Sequence, residues 1–132
     1  MGHTNTGGRI SEAVIQRQIC DYLQSYGFFF WRSNNVPVMG RALPKYTPRG
    51  LPDIMVIVNG LFVAFEVKRP TVDGMREKNG RTLREGKLSP EQADFGIRLE
   101  GNGGRYYCVR SADEARAALE EVFTHLKKSR GD

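Results

Sequence analysis

The dipeptide Asn59-Gly60 constrains this chain more than any other feature, because it separates two β-rich runs, Ile54 to Val58 and Leu61 to Val67. Asn-Gly between such runs is the strongest short-range signal for a two-residue type I′ hairpin, whose two turn residues both need positive φ. A loop of that length fixes the register. Val58 and Leu61 must face each other, and counting outward from them places Asp53 opposite Glu66. Opposed residues on an antiparallel pair have Cβ atoms about 4.5–5.5 Å apart and point to the same face. Two carboxylates are therefore predicted to converge at the ends of otherwise apolar strands.

Like charges placed opposite each other destabilise a sheet, and poor solvent screening makes this worse. A hard divalent cation bridged by both carboxylates would offset the repulsion and leave octahedral positions for water and a substrate phosphate. Side chains alternate along a strand, so Lys68 shares the face of Glu66 and Asp53 while the Val67 side chain points away. The ammonium is then placed to stabilise phosphorane charge or to orient an attacking water. A Glu-x-Lys pair alone would be an ordinary solvated strand face; the register is what singles this one out.

Around the hairpin, Ser11 caps a first helix over about residues 11–26, striped by Val14, Ile15, Ile19, Tyr22, Leu23 and Tyr26 and stopped by Gly27. Residues 28–32 are aromatic and strand-like. The stretch 34–50, with Pro37, Pro44 and Pro48, and the charged, Gly-punctuated stretch 70–88 are expected to be long loops. Ser89-Pro90-Glu91-Gln92 opens a second helix, reaching about Glu100, with Pro at its first position and Gln92 positioned for a capping box. A short strand at 105–110 and a last helix follow, the helix opened by the box Ser111-Ala112-Asp113-Glu114 and striped by Ala115, Ala118, Leu119, Val122, Phe123 and Leu126. The predicted order is α-β-β-β-α-β-α: an α/β fold with a mixed central sheet flanked by helices, in one domain over 1–132 with its core at about 9–128.

Glu12 falls on the inward stripe of the first helix, where it serves either as a further metal ligand or simply as an acid favoured in the first helical turn. Gln92 has the same two readings, helix cap or site residue. Trp31 and the neighbouring Phe28, Phe29 and Phe30 are expected in the core, with stacking on bases as the alternative, and Cys20 and Cys108, the only cysteines, are expected there too. That cysteine usage, with no apolar run long enough to cross a bilayer and no signal-like start, predicts a cytoplasmic protein. Twenty Lys and Arg against fifteen Asp and Glu give a net charge of +5, a bias toward polyanions. The basic residues flank the hairpin: Arg41, Lys45 and Arg49 before it, Lys68, Arg69, Arg76, Lys78, Arg81, Arg84 and Lys87 after it.

Gly50-Leu51-Pro52-Asp53, Glu66-Val67-Lys68 and Leu88-Ser89-Pro90-Glu91-Gln92, preceded by Ser11-Glu12 and Arg32-Ser33-Asn34, resemble the virus-type replication-repair nuclease (VRR-NUC) family of the PD-(D/E)XK nuclease superfamily. The resemblance runs from about residue 9 to 109. It implies a restriction-endonuclease-like core in which Asp53, Glu66 and the backbone carbonyl of Val67 hold Mg²⁺ or Mn²⁺ and Lys68 is the catalytic lysine. By the same carry-over Glu12 assists metal binding, Gln92 stands near the reacting centre, and Ser33 and Asn34 are weaker matches. Stand-alone members of this size come mainly from phages, and likeness to Holliday junction resolvases implies a homodimer acting on branched DNA.

The expected function is thus a metal-dependent, structure-specific DNA endonuclease with Asp53, Glu66, Lys68, Gln92 and Glu12 in its active site. Arg41, Lys45, Arg49, Arg69, Arg76, Arg81 and Arg84, with Ser33 and Asn34, are the candidate DNA contacts. Two alternatives are an inactive nucleic-acid-binding module of the same fold and a metal-dependent hydrolase of small phosphate esters. The second would have no use for the extended basic flanks.

Overall fold

The structure is a computed structural model, and it describes residues 11–33, 44–70 and 87–129. Among these the elements run α1 (Glu12–Ser25), β1 (Phe29–Arg32), β2 (Ile54–Val58), β3 (Leu61–Val67), α2 (Pro90–Gly101), β4 (Arg105–Val109) and α3 (Ala112–Ser129). The strands form one mixed sheet in the order β1-β2-β3-β4, in which β1–β2 and β2–β3 are antiparallel and β3–β4 is parallel. Parallel neighbours cannot be joined by a tight turn, and α2 lies in the connection between them.

The hairpin closes as its turn chemistry requires. Asn59 has φ 49° and Gly60 φ 84°, and the pairs run from Val58–Leu61 out to Ile54–Phe65 without a bulge. Alternation then sorts the side chains. Ile54, Val56 and Val58 of β2 join Val63, Phe65 and Val67 of β3 on one face, where they pack with Ile15, Ile19 and Leu23 of α1 and Ala115, Leu119 and Val122 of α3. Burying a side chain such as Leu23 or Phe65 stabilises the fold by about 1.5–3 kcal/mol each. α2 covers the other face. Gly96 sits directly on the Tyr106 ring of β4, and a Cβ there would come within 2.7 Å of that ring.

α1 starts where expected, with Ser11 Oγ accepting from the Val14 amide at 3.2 Å. α3 closes differently. Ser111 Oγ accepts from the Glu114 amide at 3.1 Å, but Glu114 Oε1 takes the Arg110 amide at 2.8 Å instead of the cap's own. β4 ends at Val109, so the Arg110 amide needs an acceptor that the ladder does not give it.

Two stripe positions remain in solvent. Tyr26 is 72% exposed and Phe123 45% exposed, their rings against Tyr22 and Phe28 respectively. The cysteines are half-buried rather than core residues. Cys20 packs against the core cluster, whereas Cys108 pairs with Glu66 on the α2 face. The expected loops at 34–50 and 70–88 lie largely outside the described residues. Of them, 44–50 forms a turn, Thr47 N–H to Pro44 C=O at 3.1 Å, with no helix or strand. No helix among the described residues is long and apolar enough to cross a membrane.

Candidate active site

Asp53 lies just before β2, and the segment that delivers it is clamped to the start of α2. Gly50 has φ +76°, and a Cβ on it would overlap the Glu91 carbonyl and sit 2.8 Å from the Gln92 amide. Only glycine meets both demands. Pro52 is buried behind it, and the Asp53 carbonyl accepts from the Ser33 amide at 2.9 Å, which extends the β1–β2 pairing. The Asp53 side chain turns across to β3, where Oδ2 accepts from the Val67 amide at 2.7 Å. Its carboxylate is thereby fixed over the end of the strand that carries Glu66 and Val67.

Glu66 is the only buried charged residue among the described ones, 3% exposed. Its two oxygens differ. Oε2 accepts from Gln92 Nε2 at 2.9 Å and stands 3.7 Å from Lys68 Nζ. Oε1 is buried with no hydrogen-bond donor among the described residues. Loss of hydration and the adjacent Asp53 carboxyl push the Glu66 pKa up to about 8, against the smaller opposing pull of Lys68. Opposed carboxylates of this kind, one with a bare buried oxygen, mark where a cation would be stabilised.

Gln92 does both jobs that its position allowed. Its amide donates to Ser89 Oγ at 3.1 Å and its Oε1 accepts from the Ser89 amide at 2.9 Å, closing the capping box; its Nε2 remains for Glu66. The helix cap thus orients a site carboxylate. Lys68, on the far side of Glu66, is 13% exposed at its side chain. Val67 ends β3, its side chain in the core. Glu12 approaches from the opposite layer, where Oε2 meets the Arg69 amide at 3.4 Å. It stands at the margin: among the described residues no three Asp, Glu, His or Cys side chains form a metal cluster. Asp53 and Glu66, with remaining positions for water and phosphate, form a donor set of the kind that Mg²⁺ or Mn²⁺ accepts.

Tyr106 belongs to the same neighbourhood and was missed in the sequence. Its hydroxyl is buried without a hydrogen-bond partner among the described residues, and burial together with the Glu66 carboxylate drives its pKa far above the usual phenol range. It therefore stays protonated. The available signal was parity: Tyr106 alternates with Cys108, which pairs with Glu66.

Of the candidate DNA contacts, Lys45 and Arg49 are exposed on the segment leading to Asp53, with Lys45 Nζ 5.3 Å over the Tyr46 ring. The Arg69 carbonyl accepts from Arg110 Nη1 at 2.8 Å. Ser33 is half-buried beside Asp53. Asn34, Arg41, Arg76, Arg81 and Arg84 lie outside the described residues. The core expectation for the aromatic run divides. Phe28 and Phe30 pack against the core, whereas Phe29 and Trp31 are exposed on the site's face, because a strand must send alternate side chains to opposite faces. Compared with known proteins, the chain matches no family model, no curated protein and no solved structure.

Proposed function

We propose that this chain is a metal-dependent nuclease that hydrolyses phosphodiester bonds in DNA. The observation that carries the reading is Glu66: a buried carboxylate opposed to Asp53, one oxygen held by Gln92 and Lys68, the other bare. Mg²⁺ or Mn²⁺ held by Asp53 and Glu66, with the Val67 carbonyl as a further ligand and Glu12 assisting, would polarise the phosphate and make a bound water nucleophilic. Gln92 fixes Glu66 so that Oε1 is the free donor atom. The Val67 amide fixes Asp53 in the same way. Lys68 places positive charge where negative charge accumulates on the phosphate, and the surrounding burial strengthens that interaction.

Within this class we assign the chain to the VRR-NUC family, with a restriction-endonuclease-like core. Asp53, Glu66 and Lys68 sit at the open end of one hairpin, and Gln92 reaches Glu66 there from a separate segment, which supports the assignment. The same assignment gives a homodimer in the cytoplasm of a bacterial or phage-infected cell, acting on branched DNA. Exposed Lys45 and Arg49, and a net charge of +5, suit sequence-independent grip on phosphates.

Labelled four-way junction, flap and linear duplex, incubated with protein in Mg²⁺ or Mn²⁺, test this directly. Branched DNA is cut, and excess DNA but not a small phosphate ester competes. Binding without cleavage in either metal would leave an inactive binding module. Hydrolysis of small esters that DNA does not inhibit would make the chain a different hydrolase.

A further inference from the structure

Trp31 pairs with Met55 and Phe29 with Ile57, so both stand on the sheet face that carries Asp53 and Glu66. Phe62, opposite Ile57 on β3, shares that face. α2 covers the β4 side of it, while Phe29, Trp31 and Phe62 remain 69%, 42% and 47% exposed among the described residues. Scattered exposed apolar residues need no explanation, but here the Phe29 and Trp31 rings of β1 are in contact, and Phe62 of β3 stands on the same face across Ile57 of β2. The Phe29 and Trp31 centroids are 6.3 Å apart with planes tilted by 59°, so the two rings are not stacked face to face.

These rings lead to the carboxylates. Rises of ~3.3 Å per residue and strand spacings of ~4.8 Å put Trp31 roughly 8 Å from Asp53 across the sheet. A strand with one phosphate at the carboxylates would lay its adjacent bases over that ring. The segment entering Asp53 carries exposed Lys45 and Arg49, which complement a phosphate backbone.

Resting on the nuclease reading, we propose that Phe29, Trp31 and Phe62 form a stacking platform for unpaired bases next to the cleaved phosphate. Every base has a π-face, so such a platform is sequence-tolerant, and it discriminates against continuous duplex, whose base faces are already stacked. The substrate it selects is DNA with a single-stranded stretch beside the cut, as at a flap or an opened junction.

Trp31 is the chain's only tryptophan, so its fluorescence reports on the platform alone. The probe is a short oligothymidylate titrated with Ca²⁺ in place of Mg²⁺ to suppress turnover. Saturable quenching is expected with the single strand and not with blunt duplex of equal length. Trp31→Leu, followed by anisotropy of labelled oligonucleotide, and Phe29→Ala should each weaken single-strand binding about tenfold at unchanged circular dichroism. Absence of quenching, or equal affinity in both variants, overturns the proposal. So does conversion of a dimer to a monomer by Trp31→Leu, which would make the face a protein interface. Quenching by a wild type that never cuts DNA would sink the nuclease reading alone; cleavage without quenching would sink only the platform.

Discussion

Glu66 ties stability to its proton, and under the proposed function to a cation as well. Its pKa in the folded chain, about 8, lies above the ordinary 4.5, so the folded state holds a proton that the unfolded state has released between those values. The contribution to stability is full below about pH 4.5 and is lost as pH rises toward 8, by at most ~1.4 kcal/mol per pH unit. On the proposed nuclease reading a divalent cation takes the place of that proton. Thermal melts at pH 5.5 and pH 8.5, with and without Mg²⁺, should therefore show a larger metal-induced rise in Tm at the higher pH; equal rises would contradict a carboxylate that titrates in competition with metal. Glu66→Gln should abolish the difference and leave the metal-free protein less sensitive to pH. Tyr106 gives a second prediction at this scale. Its hydroxyl is buried and has no partner among the described residues, so Tyr106→Phe removes a desolvated group at no loss of a hydrogen bond among them. Urea denaturation should show stability unchanged or raised by up to ~1 kcal/mol, whereas a loss of more than that would mean the hydroxyl has a structural partner.

The site is built where the end of a hairpin meets the cap of a helix. Gly50 is the contact point, and its positive φ and overlap with the Glu91 carbonyl set the cost of replacing it. Gly50→Ala should destabilise by more than ~1 kcal/mol, read from chemical denaturation, and should lower activity by moving Asp53 away from α2. A neutral substitution would show that the segment is free to shift. Much of this was legible in the chain beforehand. The Asn59-Gly60 turn determines the register by local chemistry, so the opposition of Asp53 and Glu66 could be counted out residue by residue. The Ser89–Gln92 box was legible for the same reason, being four consecutive residues. The bond from Gln92 to Glu66 was not, because it depends on where α2 docks across the sheet, a long-range outcome that no local pattern encodes. The run 28–31 misled for a different reason. Four consecutive apolar residues carry no alternation, and such a strand reads as buried on both faces, whereas β1 is an edge strand with only one face packed. Tyr106 was passed over because a tyrosine in a short strand is ordinary; what matters is its place beside the carboxylates.

For the whole molecule, charge and fold divide the labour. Core packing of α1 and α3 occupies one face of the sheet, which leaves the other face for α2, the carboxylates and the exposed aromatic rings. Among the described residues, Lys45 and Arg49 are exposed on the segment that enters Asp53. DNA affinity should accordingly fall linearly in log–log form with salt, and Arg49→Gln should reduce the slope by about 0.7–0.9, the release of one phosphate contact's counterion. An unchanged slope would place Arg49 outside the DNA path. The most direct measurement concerns the carboxylate pair itself: single-turnover cleavage of labelled branched DNA in Mn²⁺ by wild type, Asp53→Asn and Lys68→Ala, each shown by anisotropy to bind the substrate. The wild type should cut, and each variant should bind normally while cutting at least about a hundredfold more slowly. Cleavage at the wild-type rate by either variant would place the chemistry elsewhere in the chain.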